Sequence, residues 1–308
     1  MLIEIMKIYL NKARENWILD RLRKEWYEYN SDISSKLVIN SDLIWIASPW
    51  TWKKINKSNL KKKKVVCSIY HIDFDKFTEQ DTNEFKERDA FVDYYHVISQ
   101  NTKLQLSSLT TKKIISIPFW VNQHNWHYIE DKRKLKNKYN IKEDYYLIGS
   151  FQRDSEGHDV NLPKLSKGPD RFIDVVKDIN KEKKVLVVLT GKRRNYLINA
   201  LKENSIEYKY FEMVNIEKLN ELYNILDLYI VTSRVEGGPQ AILECAITKT
   251  PIISTDVGVA KEILPKESIF KMENFRNAEP NVKQAYKNSQ DFKIPTGFEK
   301  FRNMFYEN

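Results

Sequence analysis

The chain has 308 residues, of which 42% are hydrophobic and 30% charged, so it can bury a core and is not intrinsically disordered. Its formal net charge of +9 is spread along the sequence and does not by itself identify a polyanion-binding surface. Two cysteines exclude a disulfide framework and a cysteine-rich metal site, and no apolar run reaches the roughly 18 residues of a membrane-spanning helix.

Short β-rich runs alternate with amphipathic segments, which predicts an α/β fold built of βα units around parallel sheets. In the first half, a helix is predicted over Glu15–Tyr27, where Ile18, Leu22 and Trp26 recur at helical spacing. Pro118 ends the last strand because it lacks a backbone donor. The predicted strands are Lys7–Leu10, Lys36–Ile39, Leu43–Ala47, Val65–Tyr70, Tyr94–Ser99 and Ile114–Ile117.

The second half begins after a basic amphipathic stretch, Asp131–Tyr139, which predicts a connector helix. Further strands are predicted at Tyr145–Gly149, Val185–Thr190, Leu226–Val231 and Pro251–Ser254, and a last amphipathic helix around Phe298, Phe301, Met304 and Phe305. We therefore expect an acceptor-binding Rossmann-like domain at 1–143 and a nucleotide-sugar-binding Rossmann-like domain at 144–275. Residues 276–308 are expected to pack back on the first domain.

The segment after the strand Leu228–Val231 has the composition of an anion site. Gly237 and Gly238 let the backbone approach a ligand closely, and Pro239 suits the first position of a helix because its missing donor costs nothing there. The free N–H groups at the start of that helix would face an anion above the strand's carboxyl end. This pattern predicts a diphosphate site.

Two carboxylates flank the predicted helix start, Glu236 before it and Glu244 in its second turn. Such groups accept paired hydrogen bonds from vicinal hydroxyls, as a sugar and a ribose offer. Their E-x7-E spacing resembles retaining GT-B glycosyltransferases similar to glycosyltransferase family 4 (glycosyl transferases group 1), and Pro251–Gly258 continues the pattern. The resemblance implies two Rossmann-like domains whose parallel sheets face each other across a cleft.

The resemblance also implies the roles of individual residues. Glu236 would contact hydroxyls of the transferred sugar, Gly237 and Gly238 would offer backbone contacts beside Pro239, and Glu244 would hold the nucleotide ribose. Transfer would proceed with retention, without an enzymic nucleophile, a required metal or a cofactor beyond the nucleotide-diphosphate sugar itself.

The first loop of the second domain resembles the family's diphosphate clamp. Gly149 and Ser150 end the strand, and Arg153 and Lys167 would hold the diphosphate, whose charge grows as the glycosidic bond breaks. In the family the two cations lie a few residues apart, whereas here Asp154–Ser166 intervene. Either this loop is an insertion, or another cation within 153–167 pairs with Lys167.

Two further loops are expected to contact the nucleotide. Thr190 and Gly191 close a strand with a glycine-bearing turn that would form a wall of the nucleotide pocket. The stretch around Val214 resembles the part of the family that meets the base through backbone atoms.

The acceptor half carries weaker signals. His71 follows an apolar strand, where cleft residues tend to lie, and is a candidate for acceptor contact or catalysis, although a structural role is the alternative. Ala47 or Ser48 stands where many relatives place a histidine. Asp73 and Asp75 have the D-x-D form of metal-dependent transferases, but a solvated loop with a helix cap is the preferred interpretation.

The expected partners are a nucleotide-sugar donor and a saccharide or lipid-linked saccharide acceptor, as in bacterial surface polysaccharide or glycoconjugate synthesis. The stretch Trp50–Lys64 combines two tryptophans with many lysines, which predicts peripheral contact with an anionic membrane, against a solvated surface as the alternative. The low number of cysteines favours a cytoplasmic protein. The predicted membrane contact would then be at the inner face of the membrane.

Two other functions remain open. One is a catalytically inactive nucleotide-sugar-binding partner of another transferase. The other is a basic RNA-binding protein, suggested by the charge and by an aromatic content of 12%. No nucleic acid is expected, because the sequence has no recognisable RNA-binding motif.

Overall fold

The computed structural model describes residues 6–14, 18–157 and 159–307, and contains two parallel β-sheets, each built from βα units. The described residues fall into two compact units. One contains the chain up to Phe119 together with the segment from Pro295 onward, and the other contains Trp120–Ile294. The predicted α/β class and the pair of Rossmann-like sheets are confirmed.

The first unit is organised around a five-stranded sheet in the order β1-β2-β3-β4-β5, with every pair of neighbours parallel. The short apolar runs of the sequence form these strands, whose bounds are β1 Ile8–Leu10, β2 Leu43–Ile46, β3 Lys64–Ile69, β4 Tyr94–Val97 and β5 Ile114–Ser116. Its helices are α1 Ile18–Tyr29, α2 Lys57–Lys62, α3 Glu79–Asp89 and α4 Gln100–Ser107. The predicted start of α1 at Glu15 lies outside the described residues.

The C-terminal helix of the chain packs into the core of this first unit. Phe298 and Phe305 each meet the edge of the Trp26 ring, with centroids 5.8 and 5.7 Å apart, and Phe301 lies 5.3 Å from Trp45. Arg302 also forms a bidentate ion pair with Asp32. The sequence prediction of a last amphipathic helix is confirmed, because four aromatic and methionine side chains at helical spacing are buried. This helix is α12, Thr296–Tyr306.

One predicted strand was wrong. Lys36–Ile39 is not paired into the sheet, and its last part enters a single 3-10 turn at Val38–Asn40. Pairing with the open edge of β1 occurs just before this segment, where Ser34 forms an isolated parallel bridge with Ile8 and the Ser35 N–H donates to the Ile8 carbonyl at 2.9 Å. The pairing is not continued, and Leu37 and Ile39 of the predicted strand are exposed, by 59% and 76%.

The second unit contains a six-stranded sheet in the order β11-β10-β9-β6-β7-β8, again with parallel neighbours. The strands are β6 Tyr146–Ser150, β7 Val185–Thr190, β8 Glu207–Phe211, β9 Leu228–Val231, β10 Ile252–Thr255 and β11 Ile269–Phe270. The helices are α5 Lys132–Lys138, α6 Pro169–Ile179, α7 Asn195–Glu203, α8 Ile216–Ile225, α9 Gln240–Thr248, α10 Ala260–Ile263 and α11 Val282–Ser289. The strands β8 and β11 were not predicted.

The compact units divide at Phe119 and Pro295, whereas the sequence suggested 143 and 276. The cause is the packing of residues 120–142 within the second unit. Trp126 meets the edge of Tyr223 at 5.7 Å, and the Lys132 ammonium donates to Asp227 at 2.7 Å. The predicted connector helix forms as α5, and it belongs to the second unit because of these contacts.

Candidate functional site

The strand order of the second unit reverses between β6 and β9. From β6 the chain proceeds through β7 to β8 on one side, and then crosses to β9, β10 and β11 on the other. The loops that leave the carboxyl ends of β6 and β9 therefore diverge and open a crevice, which is where open α/β sheets bind ligands. The sequence motif around Glu236 follows β9, and the predicted diphosphate loop follows β6.

The two loops at this switch point are tied together through their backbones. The N–H groups of Arg234 and Val235 both donate to the Ser166 carbonyl, at 2.8 and 3.1 Å. The Thr232 hydroxyl donates to the Gly168 carbonyl at 2.7 Å, and the Arg234 guanidinium forms a bidentate pair with Asp170. The segment before α6 is thus fixed against the segment after β9.

Gly168 is required at the centre of this contact. Its φ of +63° is left-handed, and a Cβ at this position would lie 2.0 Å from the Thr232 carbonyl oxygen. Any side chain would separate the two loops. Lys167 immediately precedes this glycine, so its backbone position is fixed by the same contact.

Lys167 and Glu236 are brought together as an ion pair between the ammonium and Oε1. Their side chains are 23% and 11% exposed, so the pair is partly shielded but open to solvent. A sugar diphosphate has an anionic end and a hydroxylated end. A cation can bind the anionic end and a carboxylate can bind the hydroxyl groups, so this pair of side chains can hold both.

Arg153 follows β6 and is partly exposed. Lys167 adjoins the loop contact at Gly168 and pairs with Glu236, so the long segment after Arg153 returns this lysine to the crevice. The segment also contains a half-buried cation that was not named from the sequence, Lys164. Burial and the positive charges of Arg153 and Lys167 lower the pKa of Lys164, and Glu156 and Glu236 oppose this shift.

Two helices begin at this crevice, and their N-cap residues, Gly168 and Pro239, make no side-chain cap hydrogen bond. The helix α6 follows the β6 loop, and α9 follows the β9 loop. Pro239 is the residue before α9 rather than its first residue, a shift of one position from the prediction. Gly258 backs this turn, since a Cβ there would lie 2.5 Å from the Gly237 carbonyl oxygen. Gly237 is buried and Gly238 partly exposed.

Glu244 lies within α9 and is buried, with an exposure of 5%. The Tyr223 hydroxyl, from α8, donates a hydrogen bond of 2.8 Å to Glu244 Oε2. Burial and the neighbouring Glu244 charge raise the pKa of Tyr223 far above its usual value, so the hydroxyl stays protonated and can donate. Tyr223 was missed in the sequence because the contact joins two helices.

The ends of β6 and β7 are organised by a buried arginine. The Arg194 guanidinium pairs with Asp154 at 2.6 Å and donates to the carbonyls of Ser150 and Thr190 at 2.6 and 2.7 Å. It also reaches the Ser150 hydroxyl at 3.2 Å. Arg194 is fully buried and therefore fixes the positions of Ser150 and Thr190, the two polar residues that were predicted to bind the donor.

The other predicted donor-binding residues lie around this framework. Gly149 is buried within β6, and the Gly191 carbonyl accepts a hydrogen bond from the Tyr210 hydroxyl at 2.9 Å. Val214 follows β8, and β7 lies between β8 and β6 in the sheet. It lines a surface depression of about 520 Å³ together with Lys138, Tyr139, Met213, Asn215, Glu217, Lys218 and Glu221.

His71 belongs to the first unit, where it follows the carboxyl end of β3 and is exposed. Its neighbours Asp73 and Asp75 lie at a single 3-10 turn, Phe74–Lys76. In the described ranges, no group of three histidine, cysteine, aspartate or glutamate residues is placed to hold a metal ion. Ala47 and Ser48, where the sequence resemblance led us to look for a histidine, are both buried.

The histidine inside the first sheet is structural. His96 in β4 is fully buried, accepts a hydrogen bond from the Ser68 hydroxyl at Nδ1, and donates from Nε2 to the Ile117 carbonyl, each at 2.8 Å. The Trp45 indole donates to the same Ser68 oxygen, which leaves the hydroxyl proton for His96. Burial lowers the pKa of His96 to about 4, so it is neutral at physiological pH.

The chain belongs to the glycosyl transferases group 1 family, whose model matches residues 131–291. This match covers the second unit almost entirely and includes the whole crevice between β6 and β9. The prediction of group 1 glycosyltransferase relatedness is confirmed.

Two curated relatives share part of the sequence. An alpha-galactosylglucosyldiacylglycerol synthase of Streptococcus pneumoniae (strain ATCC BAA-255 / R6) is 24% identical over 177 residues, which are 52% of this chain and 42% of that protein. The O-antigen biosynthesis glycosyltransferase WclY of Escherichia coli is 26% identical over 144 residues, 44% of this chain and 37% of that one. The chain thus matches less than half the length of each.

Solved structures show the fold over nearly the whole chain. Anabaena Alr3699/HepE in complex with UDP has a TM-score of 0.76 at 13% identity, covering 98% of this chain and 100% of that one. Its complex with UDP-glucose has a TM-score of 0.75 at 14% identity and the same coverage. The predicted GT-B fold is confirmed by this likeness and by the two parallel sheets.

Proposed function

We propose that the chain is a nucleotide-sugar-dependent glycosyltransferase with its donor site at the crevice between β6 and β9. The observation that carries this proposal is the pairing of Lys167 with Glu236 across two loops that the backbone fastens together. Beside that pair, α9 begins without a side-chain cap, so its first backbone N–H groups can meet an anion. The family membership supports the same chemistry.

In this proposal each part of the donor has its own contacts. Arg153 and Lys167 hold the diphosphate, with backbone groups at Gly237 and Gly238 and the start of α9. Glu236 accepts hydrogen bonds from hydroxyls of the transferred sugar. Glu244 holds the ribose, since Tyr223 already fixes one of its oxygens.

The catalytic effect follows from charge. As the bond between the sugar and the diphosphate breaks, negative charge grows on the leaving oxygens, and fixed cations and N–H dipoles stabilise that charge more than they stabilise the ground state. We propose retention of the anomeric configuration, as in glycosyltransferase family 4, without a covalent intermediate on the enzyme and without a required metal. His71 would contact the acceptor.

We propose a UDP-sugar as the first donor to test, because HepE was solved with UDP and with UDP-glucose. A thermal-shift screen over UDP-, GDP-, ADP- and CMP-sugars tests this, since a ligand that binds only the folded state raises the melting temperature. A rise with none of the four would contradict a nucleotide-sugar site. Release of free sugar from the donor distinguishes the enzyme from an inactive nucleotide-sugar-binding partner, which would release none.

The acceptor is proposed to be a saccharide or a lipid-linked saccharide in the synthesis of a surface polysaccharide or glycolipid, by analogy with the two curated relatives. No helix in the described residues has the length and apolar character needed to cross a bilayer. Contact with a membrane would then be peripheral.

For such contact the first unit offers one basic and apolar surface. Trp52 from the predicted stretch is buried in the core and cannot contact lipid, whereas Lys61 and Lys62 are exposed. Lys63 donates to the Ile39 carbonyl at 3.3 Å, which places exposed Leu37 and Ile39 beside these lysines. We propose that this surface meets anionic lipid at the cytoplasmic face. Sedimentation with phosphatidylglycerol vesicles should fall for Ile39→Glu, and unchanged sedimentation would contradict it.

A further inference from the structure

The described residues between Arg153 and Lys167, 154–157 and 159–166, form the two arms of a hairpin. Ser155 and Pro163 form an antiparallel bridge, and the Glu156 N–H donates to the Leu162 carbonyl at 2.9 Å. At the base of the hairpin, the Lys164 N–H donates to the Asp154 carbonyl at 2.7 Å. The chain therefore leaves β6, turns back, and returns Lys164 to a place beside Arg153.

The base of this hairpin is fixed on both sides. Asp154 is held by the buried Arg194, and its N–H donates to the Arg193 carbonyl at 3.2 Å. On the other side, the Lys167 N–H donates to the Lys164 carbonyl at 2.8 Å, and Lys167 adjoins the loop contact at Gly168. The backbone of Lys164 is thus positioned by the same elements that position Lys167.

The hairpin thus places the backbone of Lys164 against Asp154, which follows Arg153, and Lys167 follows Lys164 at the same end of the crevice. Across the described ranges, neither the Arg153 guanidinium nor the Lys164 ammonium has a carboxylate within ion-pair distance, and only Lys167 is paired, with Glu236. Burial and the charges of Arg153 and Lys167 lower the pKa of Lys164. Glu156 and Glu236 oppose this shift without cancelling it, and a bound diphosphate would further relieve the repulsion between the cations.

We propose that Lys164, delivered by the hairpin 154–166, is a third cation that contacts the diphosphate of the donor beside Arg153 and Lys167. The inference rests on the proposed function, because it assigns a residue to the same donor site. It also gives the hairpin a function, which is to supply a diphosphate contact that a direct connection from Arg153 to Lys167 would lack. Lys164 then interacts with the leaving group during transfer.

The test measures binding of UDP, GDP, ADP and CDP by calorimetry to the wild-type chain and to four variants. The variants Lys164→Gln and Lys164→Met remove the charge, and Lys164→Arg keeps it. The control is Lys202→Gln, which removes an exposed lysine near the end of α7. UMP is measured as well, because it lacks the second phosphate.

Both neutral variants should bind the preferred nucleoside diphosphate about tenfold or more weakly, the scale of one charged hydrogen bond. The loss should be smaller for UMP than for UDP, Lys164→Arg should recover part of it, and Lys202→Gln should bind as the wild type. Wild-type-like binding by either neutral variant would overturn the inference while leaving the donor site in place. A wild-type chain that binds none of the four diphosphates would overturn the proposed function as well.

Discussion

The Tyr223 hydroxyl lies 2.8 Å from Glu244 Oε2, and both side chains are buried between α8 and α9. This contact fixes the rotamer of a carboxylate that is proposed to meet the ribose. Because the pKa of Tyr223 is raised by burial and by the Glu244 charge, the tyrosine remains a donor throughout the physiological pH range. Tyr223 would thus be a positioning residue for the nucleotide.

We expect Tyr223→Phe to weaken binding of the nucleoside diphosphate about three- to tenfold, because one hydrogen bond to the carboxylate is lost while the ring packing remains. The loss should largely disappear for the 2′,3′-dideoxy diphosphate, which offers Glu244 no vicinal hydroxyls. Calorimetry with both ligands checks this. Tyr95→Phe, which removes a buried hydroxyl bonded to Asp89 in the first unit, should leave affinity unchanged. Equal losses with both ligands would show that Tyr223 acts only on folding.

The strand–turn–helix unit that contains the predicted donor motif could be found in the sequence because its parts are local. Glu236, Gly237 and Pro239 lie within one strand–turn–helix unit, where spacing along the chain determines spacing in the structure. Tyr223 and Lys164 could not be found in this way. Tyr223 reaches Glu244 from another helix, and Lys164 is brought against Asp154 only because the hairpin closes.

The wrong strand at Lys36–Ile39 has a similar explanation. Its residues have the β propensity of a strand, but propensity does not determine how far pairing with a neighbouring strand extends. The chain meets the open edge of β1 at Ser34, which forms an isolated parallel bridge with Ile8, and then enters the 3-10 turn at Val38–Asn40. The pairing therefore ends before the predicted segment begins.

The two glutamates should respond differently to substitution. Glu244→Ala should weaken binding of the free nucleoside diphosphate about 10- to 100-fold, the effect of losing a charged hydrogen-bond pair. Glu236→Gln should leave that binding unchanged or tighter, because it removes the carboxylate that pairs with Lys167 in the absence of ligand. Turnover of the full donor should nevertheless fall for Glu236→Gln. Calorimetry measures binding of the nucleoside diphosphate and of the full donor, and steady-state kinetics measures turnover. Equal losses of affinity for both variants with both ligands would contradict the roles assigned to Glu236 and Glu244.

Activity should survive a chelator, because the proposed site supplies Arg153, Lys167 and the N-terminus of α9 to the diphosphate in place of an ion. The rate of donor turnover is measured before and after EDTA treatment. Abolition by EDTA with rescue by Mn²⁺ would contradict this expectation. The search for oxygen ligands would then turn to Asp73 and Asp75.

The buried pair of Arg194 and Asp154 should dominate the stability of the β6 and β7 ends. Arg194→Met leaves Asp154 buried without its cation and removes three further hydrogen bonds, so the free energy of unfolding should fall by about 3–5 kcal/mol. Arg276→Met removes an ion pair with Asp178 at the surface and should leave the free energy of unfolding nearly unchanged. Urea unfolding of the two variants provides the comparison. Similar costs would show that Arg194 does not organise this framework.

Lys167 tests the electrostatic part of the mechanism, because a point charge beside the departing diphosphate should matter more during bond breaking than during initial binding. We expect Lys167→Ala to lower kcat about 100-fold, the scale for one preorganised electrostatic contact, with a smaller change in donor affinity. Lys167→Arg should recover part of the rate, since it keeps the charge.

The control for this experiment is Lys62→Ala, an exposed lysine of α2 in the first unit, which should leave turnover on a soluble acceptor nearly unchanged. In the structure Lys167 already has a partner, Glu236, so two roles compete for its ammonium. If it served only to orient Glu236, Lys167→Ala would weaken sugar-dependent binding and leave the rate at saturating donor intact. A fall in kcat that Lys167→Arg partly restores requires instead that the charge acts on the leaving group.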